Sequence, residues 1–165
     1  MEASEELKHL RAGIWPEPAL DDQDCLAATC PSGTAGVLLR SQEALGIVLE
    51  RGAGDWPSVE EWARLLPGWF VEACLDDALV QNCILDRWSL RGWLHWLRPE
   101  NRRWFWWSAM PTAENVLTIT LLIPERPYLR GAFDWLLKAA GATKVQKLAP
   151  PPAGGETPTA WSGRR

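Results

Sequence analysis

The chain has 165 residues, 47% hydrophobic and 23% charged, which fits a single soluble globular domain with tails and excludes a wholly disordered chain. Its net charge of −4 is unevenly spread: residues 1–86 hold 5 Lys+Arg against 16 Asp+Glu, and residues 87–165 hold 12 against 5. No apolar run approaches the roughly 20 residues of a membrane span, and the acidic opening MEASEELKHL is unlike a secretory signal, so the expected location is the cytoplasm, with no membrane partner.

Residues 1–36 are weakly patterned and are expected to be poorly structured, with a short helix at most around Glu5 to Arg11 and His9 in a frayed terminus. Pro16 and Pro18 mark WPEPALDDQD as loop, and CPSGTAG, 30–36, reads as another. The folded domain is expected over 37–148. SQEALGIVLERG, 41–52, predicts a helix with Ser41 as cap and Gly52 beyond its end. In DWPSVEEWARLLPG, Ser58 and Glu61 form the S-x-x-E capping box, and Pro57 and Trp62 sit where a hydrophobic staple pairs them. Val59, Trp62 and Leu66 share a helical face, and Pro67 with Gly68 stops the helix. Residues 69–85 fit helix or strand, with helix favoured by length and alanine content.

WSLRGWLHWL predicts a short helix capped by Ser89, with Leu90, Trp93, Leu94 and Leu97 as its apolar stripe. Two strands follow, 102–109 and 116–123, joined by a loop holding Pro111 and Asn115. Leu117, Ile119, Leu121 and Ile123 alternate on one face of the second. YLRGAFDWLLKAAG predicts another helix, with Leu129, Phe133, Leu136, Leu137 and Ala140 on one face and Gly141 as its left-handed stop. Its LRG start echoes that of residues 90–92, as expected of two helices presenting similar faces to one sheet. Residues 143–148 are expected to form a final strand, and 149–165, rich in Pro and Gly, a disordered tail.

The run RRWFWWSAM, 102–110, is apolar on both faces where a half-exposed strand would alternate. Such a strand is expected at the centre of the sheet, with the LRG helices on one side and the acidic helical half covering part of the other. The fold class that follows is α+β: one domain, an antiparallel sheet, and a C-terminal helix-strand-strand-helix-strand unit packed against the acidic N-terminal half.

Chemistry is harder to find. The spacings of Cys25 and Cys30 and of Cys74 and Cys83 do not make a zinc knuckle, and DDQD, 21–24, reads as a solvated acidic loop. Without an export signal the four cysteines are expected as reduced thiols. Cys30, ahead of PSGTAG, has no adjacent base, and no phosphate-loop signature is present. No catalytic residue, cofactor or metal is therefore assigned, and an enzyme of unrecognised class is the weakest of the functional readings.

Trp and Arg remain. The chain holds 12 Trp, and Arg outnumbers Lys 13 to 4, a bias of GC-rich bacterial coding. Trp and Arg are the residue types of binding hot spots. The partner-binding candidates are Arg91, His95, Trp96, Arg98, Arg102, Arg103, Trp104, Trp106 and Trp135. The expected function is a small bacterial protein-binding module, of inhibitor, immunity or adaptor type, working through a Trp/Arg surface. The alternative is single-stranded nucleic acid stacked on Trp, with Arg along the phosphates. If the tryptophans are core instead, the arginines extend past them at the rim.

Overall fold

The computed structural model describes residues 1–12, 18, 22–75 and 87–149. Four strands, β1 (Gln23–Thr29), β2 (Phe105–Ala113), β3 (Val116–Leu122) and β4 (Lys144–Lys147), form one antiparallel sheet in the order β2-β3-β1-β4. Helix α1 (Ala3–Ala12) precedes β1, and α2 (Thr34–Arg51), α3 (Val59–Leu65), α4 (Gly68–Ala73) and α5 (Leu90–Leu97) lie between β1 and β2. Helix α6 (Gly131–Ala140) joins β3 to β4. Each helical crossover skips one strand, the interlocked split β-α-β pattern of ferredoxin-like folds, with α3, α4 and α5 inserted after α2. The α+β class with an antiparallel sheet is thus present.

The register defines two faces. Leu26 pairs with Ile119, Ala28 with Leu117, Trp106 with Leu121 and Ala109 with Ile119, and all of these are buried. Phe133 of α6 packs its ring 4.9 Å from Trp104 and 6.0 Å from Trp106. Helix α2 joins α6 in the same layer, where Arg40 Nη1 donates to Ala140 O at 3.5 Å. Helices of the acidic and basic halves therefore share one layer on one face of the sheet, rather than covering opposite faces. On the other face Cys25, Thr29, Thr118 and Thr120 are half-buried.

Strand β2 lies at the edge of the sheet, not at its centre. Its two-sided apolar character has another cause. The register shifts between Trp106 and Ser108, leaving Trp107 as the extra residue of a bulge. Helix α1 lies along the free edge, where His9 Nδ1–H donates to Trp107 O at 3.1 Å and the His9 ring sits 4.1 Å from the Trp107 indole. His9 is buried, not frayed. The Glu6 carboxylate, also fully buried, accepts from Trp106 N at 2.7 Å and from both Arg102 Nη atoms at 2.9 and 2.6 Å. A strand edge that would otherwise offer unpaired N–H and C=O groups is thereby closed by a helix.

The described part of residues 1–36 is therefore not weakly structured: it supplies α1, the interior strand β1 and the first residues of α2. Nor is Asp24 part of a solvated loop. It points to the helical side of β1, 3% exposed, and meets Arg126 Nη2 at 2.6 Å, Lys147 Nζ at 2.7 Å and Tyr128 Oη at 2.5 Å. These pairs and Glu6–Arg102 join the acidic half of the chain to the basic half. Burial alone would raise the Asp24 pKa, but the hydrogen bonds from Arg126, Lys147 and Tyr128 outweigh it and hold the group down at about 2. Because the folded value lies below the unfolded one, this stabilisation is complete above about pH 4 and is lost as pH falls through about 2. Asp24→Asn should lower the urea midpoint at neutral pH and flatten its fall between about pH 4 and pH 2; an unchanged acid limb would refute the assignment.

Other helix ends follow local rules. Ser58 and Glu61 make both hydrogen bonds of the capping box, and Ser89 accepts from Gly92 N at 3.1 Å. Gly141 ends α6 with φ 119°. Ser41 does not cap α2: the helix starts seven residues earlier at Thr34, and the Ser41 hydroxyl donates back to Val37 O at 2.8 Å. Pro111 belongs to β2, paired with Leu117, and Leu129 is 65% exposed rather than on the buried stripe of α6. Of residues 69–85, 69–73 belong to helix α4; residues 76–86, including Cys83, and the tail 150–165 lie outside the described residues.

Candidate functional site

The Trp/Arg candidates divide sharply. Trp104 and Trp106 are each 1% exposed, Trp135 6% and Arg102 8%. All four belong to the interior, so they cannot anchor a partner on the surface. The cause is tertiary. The two strand tryptophans meet Phe133, Trp135 lies within the core cluster, and Arg102 is neutralised by Glu6 while its guanidinium stacks 5.2 Å from the rings of both Trp104 and Phe105. Arg103 is exposed and paired with Glu125 at 3.5 Å.

Three candidates do converge. Burial of Leu90, Trp93, Leu94 and Leu97 sets the rotation of α5. Positions 91, 95 and 98, spaced by four and three, then project Arg91, His95 and Arg98 from one side. Opposite stands the start of α3, oriented by its capping box, with Trp56, Pro57, Ser58, Val59 and Glu60. Between them runs an open cleft of about 420 Å³, with Leu94 in its floor. Arg98 lies over the Trp56 ring at 5.3 Å, and Trp56 leans on buried Trp62 at 5.0 Å. Arg98 also reaches Glu100 at 3.5 Å, a surface pair of little strength. Asn101 donates to His95 O at 2.7 Å, and Trp96, half-buried, meets the His95 ring edge-on at 5.3 Å without lining the cleft.

Among the described lining residues the cleft is cationic on the α5 wall, aromatic at the corner and acidic at Glu60 on the α3 wall. A second groove of similar volume, between α1 and α2, is lined by Leu10, Leu39 and Ile47 and carries one arginine, Arg11, beside two carboxylates, Glu43 and Glu50. The α5 cleft is therefore the better match to an anionic partner. Trp56, Pro57 and Glu60 were not legible as site residues; the available signal was the position of Trp56 just ahead of a capping box whose helix buries Trp62.

Cys30 is fully buried, and burial pushes its thiol above the ordinary value, the reverse of an activated thiolate. Burial likewise pushes Cys74 up to about 11. Among the described residues no three His, Cys, Asp or Glu side chains converge as a metal site, and no described helix is long and apolar enough to cross a membrane. Comparison with protein-family models, curated proteins and solved structures gave no match.

Proposed function

We propose that the protein is a binding module of inhibitor, immunity or adaptor type, and that it receives an acidic segment of a protein partner in the cleft between α3 and α5. The observation that carries this reading is the row Arg91, His95, Arg98 facing Trp56 across an open, partly apolar cleft. Arg and Trp are the side chains that dominate binding energy where apolar contact and charge coincide. The free thiols of Cys25, Cys30 and Cys74 fit a reducing compartment such as the cytoplasm.

Binding of single strands draws less support. Of the ten described tryptophans, five are buried and five half-buried, so no fully exposed indole is offered as a stacking platform. The strands β1 and β3 present Cys25, Ala27, Thr118 and Thr120, not aromatic rings, on the face away from the helices.

The test is a titration of the intact chain with an oligo-glutamate peptide and, separately, with a thymidine oligonucleotide of equal charge. The peptide should perturb the Trp56 indole resonance, and the double charge reversal Arg91→Glu with Arg98→Glu should abolish the response while far-UV circular dichroism stays unchanged. Preferential binding of the oligonucleotide would move the reading to nucleic acid. Peptide-induced changes mapping away from α3 and α5 would remove the cleft from it.

A further inference from the structure

We propose that the free edge of β4 is a strand-addition site, where an extended acidic segment of a partner protein pairs with the main chain of Val145 and Lys147. No residue of β4 lines the cleft between α3 and α5, so this surface is separate from that one.

The sheet order leaves β2 and β4 at its two edges. Helix α1 closes the edge of β2 through Glu6 and His9. At the other edge Leu148 N donates to Cys25 O at 2.8 Å, which makes 25 and 148 a hydrogen-bonded pair. Such pairs alternate along an antiparallel ladder. In the same register Gln146 stands opposite Ala27 and Lys144 opposite Thr29, so these two also direct their backbone groups at β1. The N–H and C=O groups of Val145 and Lys147 between them point outward. Among the described residues none hydrogen-bonds these groups. A row of unpaired donors and acceptors on an edge is a template for one more strand.

Charge selects the occupant. Strand β4 carries two lysines and no acid. Lys147 is already paired, its Nζ 2.7 Å from Asp24. Lys144 is exposed and has no ion pair with any described residue. A second copy laid on this edge would bring two more lysines to the same short ladder, the self-pairing that edge lysines discourage. A segment with glutamate or aspartate brings the opposite charge. Added antiparallel, it bonds to Val145 and Lys147 and leaves Lys144 at a non-hydrogen-bonded position. There the facing side chains lie closest, with Cα atoms about 4.5 Å apart. An acid opposite Lys144 is a favourable cross-strand pair. On the helical side the segment's next residue lies beside Val145, which packs half-buried against the core. An apolar side chain there extends that packing, so alternation of acid and apolar residues is the pattern that fits.

The experiment follows backbone amide exchange by nuclear magnetic resonance on the intact chain, alone and with a short capped peptide alternating glutamate and valine. Alone, the Val145 and Lys147 amides should exchange freely, while that of Gln146, bonded to β1, is slower. The peptide should protect both, and no protection at saturating peptide would overturn the proposal. Slow exchange in the free chain that deepens with protein concentration would replace the segment by a second copy. Slow exchange independent of concentration would show the edge already closed and equally overturn it. N-methylation of the peptide's valines should abolish binding and N-methylation of its glutamates should not, because only the valine amides face β4. Equal behaviour of the two would overturn strand pairing. Lys144→Glu should weaken the peptide about fivefold, and a lysine-valine peptide should bind the parent chain more weakly than the glutamate one. Equal affinity for both would overturn the acidic chemistry. Val145→Pro removes an outward N–H without removing a ladder bond, a change edge strands accept, and should also weaken the peptide. Arg91→Glu with Arg98→Glu, which reports on the cleft, should leave the protection intact. Its loss in that variant would assign the peptide to the cleft and overturn the edge site.

Discussion

Trp106→Ala and Trp104→Ala should each destabilise the fold by about 3–5 kcal/mol, the range for truncating a buried aromatic. Each side chain is 1% exposed, and both press on Phe133, which is fully buried. Truncation removes the ring from the helical side of β2 and leaves a cavity that α6 cannot fill, because α6 is also held by Leu136, Leu137 and Ala140. Domains of this size carry about 5–15 kcal/mol in total, so either variant loses a large share of its stability. Guanidinium unfolding read by far-UV circular dichroism, which does not depend on the deleted indole, gives the midpoints. Trp96→Ala is the control: Trp96 is half-buried, and its midpoint should move much less. Midpoints near the parent value for Trp104→Ala and Trp106→Ala would refute the packing of β2 against α6.

What could be read from the sequence was what neighbouring residues decide. The capping box at Ser58, the cap at Ser89, the stripe Leu90-Trp93-Leu94-Leu97 and the alternation Leu117-Ile119-Leu121 are local, and each is present where expected. Strand β1 was hidden because its evidence is distant. Asp24 occupies an inward position that alternation reserves for an apolar residue, and its partners Arg126, Tyr128 and Lys147 lie about a hundred residues away. With Asp21 and Asp22 beside it, the strand start looked like an acidic loop. The start of α2 was misplaced for a different reason. Thr34-Ala35-Gly36 has weak helix propensity, and Ser41 is a favoured cap residue that here bonds within the helix.

The Trp/Arg cluster illustrates the same divide. Arg91, His95 and Arg98, named only as partner-binding candidates, come together along one cleft. Strand spacing set Trp104 and Trp106 on one face, but whether that face met solvent or α6 depended on contacts that no window of sequence contains. Arg102 is decided at longer range still, by Glu6 at the other end of the chain.

Removing that carboxylate is the second large effect. Glu6→Leu should cost about 3–5 kcal/mol, because it strands a buried guanidinium without its counter-charge. It also deprives Trp106 N–H of its acceptor on the free edge of β2. The guanidinium cannot relax into water, since its side chain is 7% exposed and its stacking on Trp104 and Phe105 holds it in place. The double variant Glu6→Leu with Arg102→Met replaces the pair by apolar groups of similar length and should recover most of the loss, because desolvating two charges offsets much of what they gain from each other. Some deficit should persist, as Trp106 N–H stays unpaired in both variants. The interaction energy from the four-member cycle should therefore be large and favourable to the pair. His9→Ala acts on the same contact from the next turn of α1, removing the hydrogen bond to Trp107 O and the ring stacked on Trp107, and should cost less than Glu6→Leu because it leaves no charge buried. An N-terminal helix that merely rested on the surface would give small losses for all of these variants and no coupling between Glu6 and Arg102. That outcome would return residues 1–12 to the periphery of the fold.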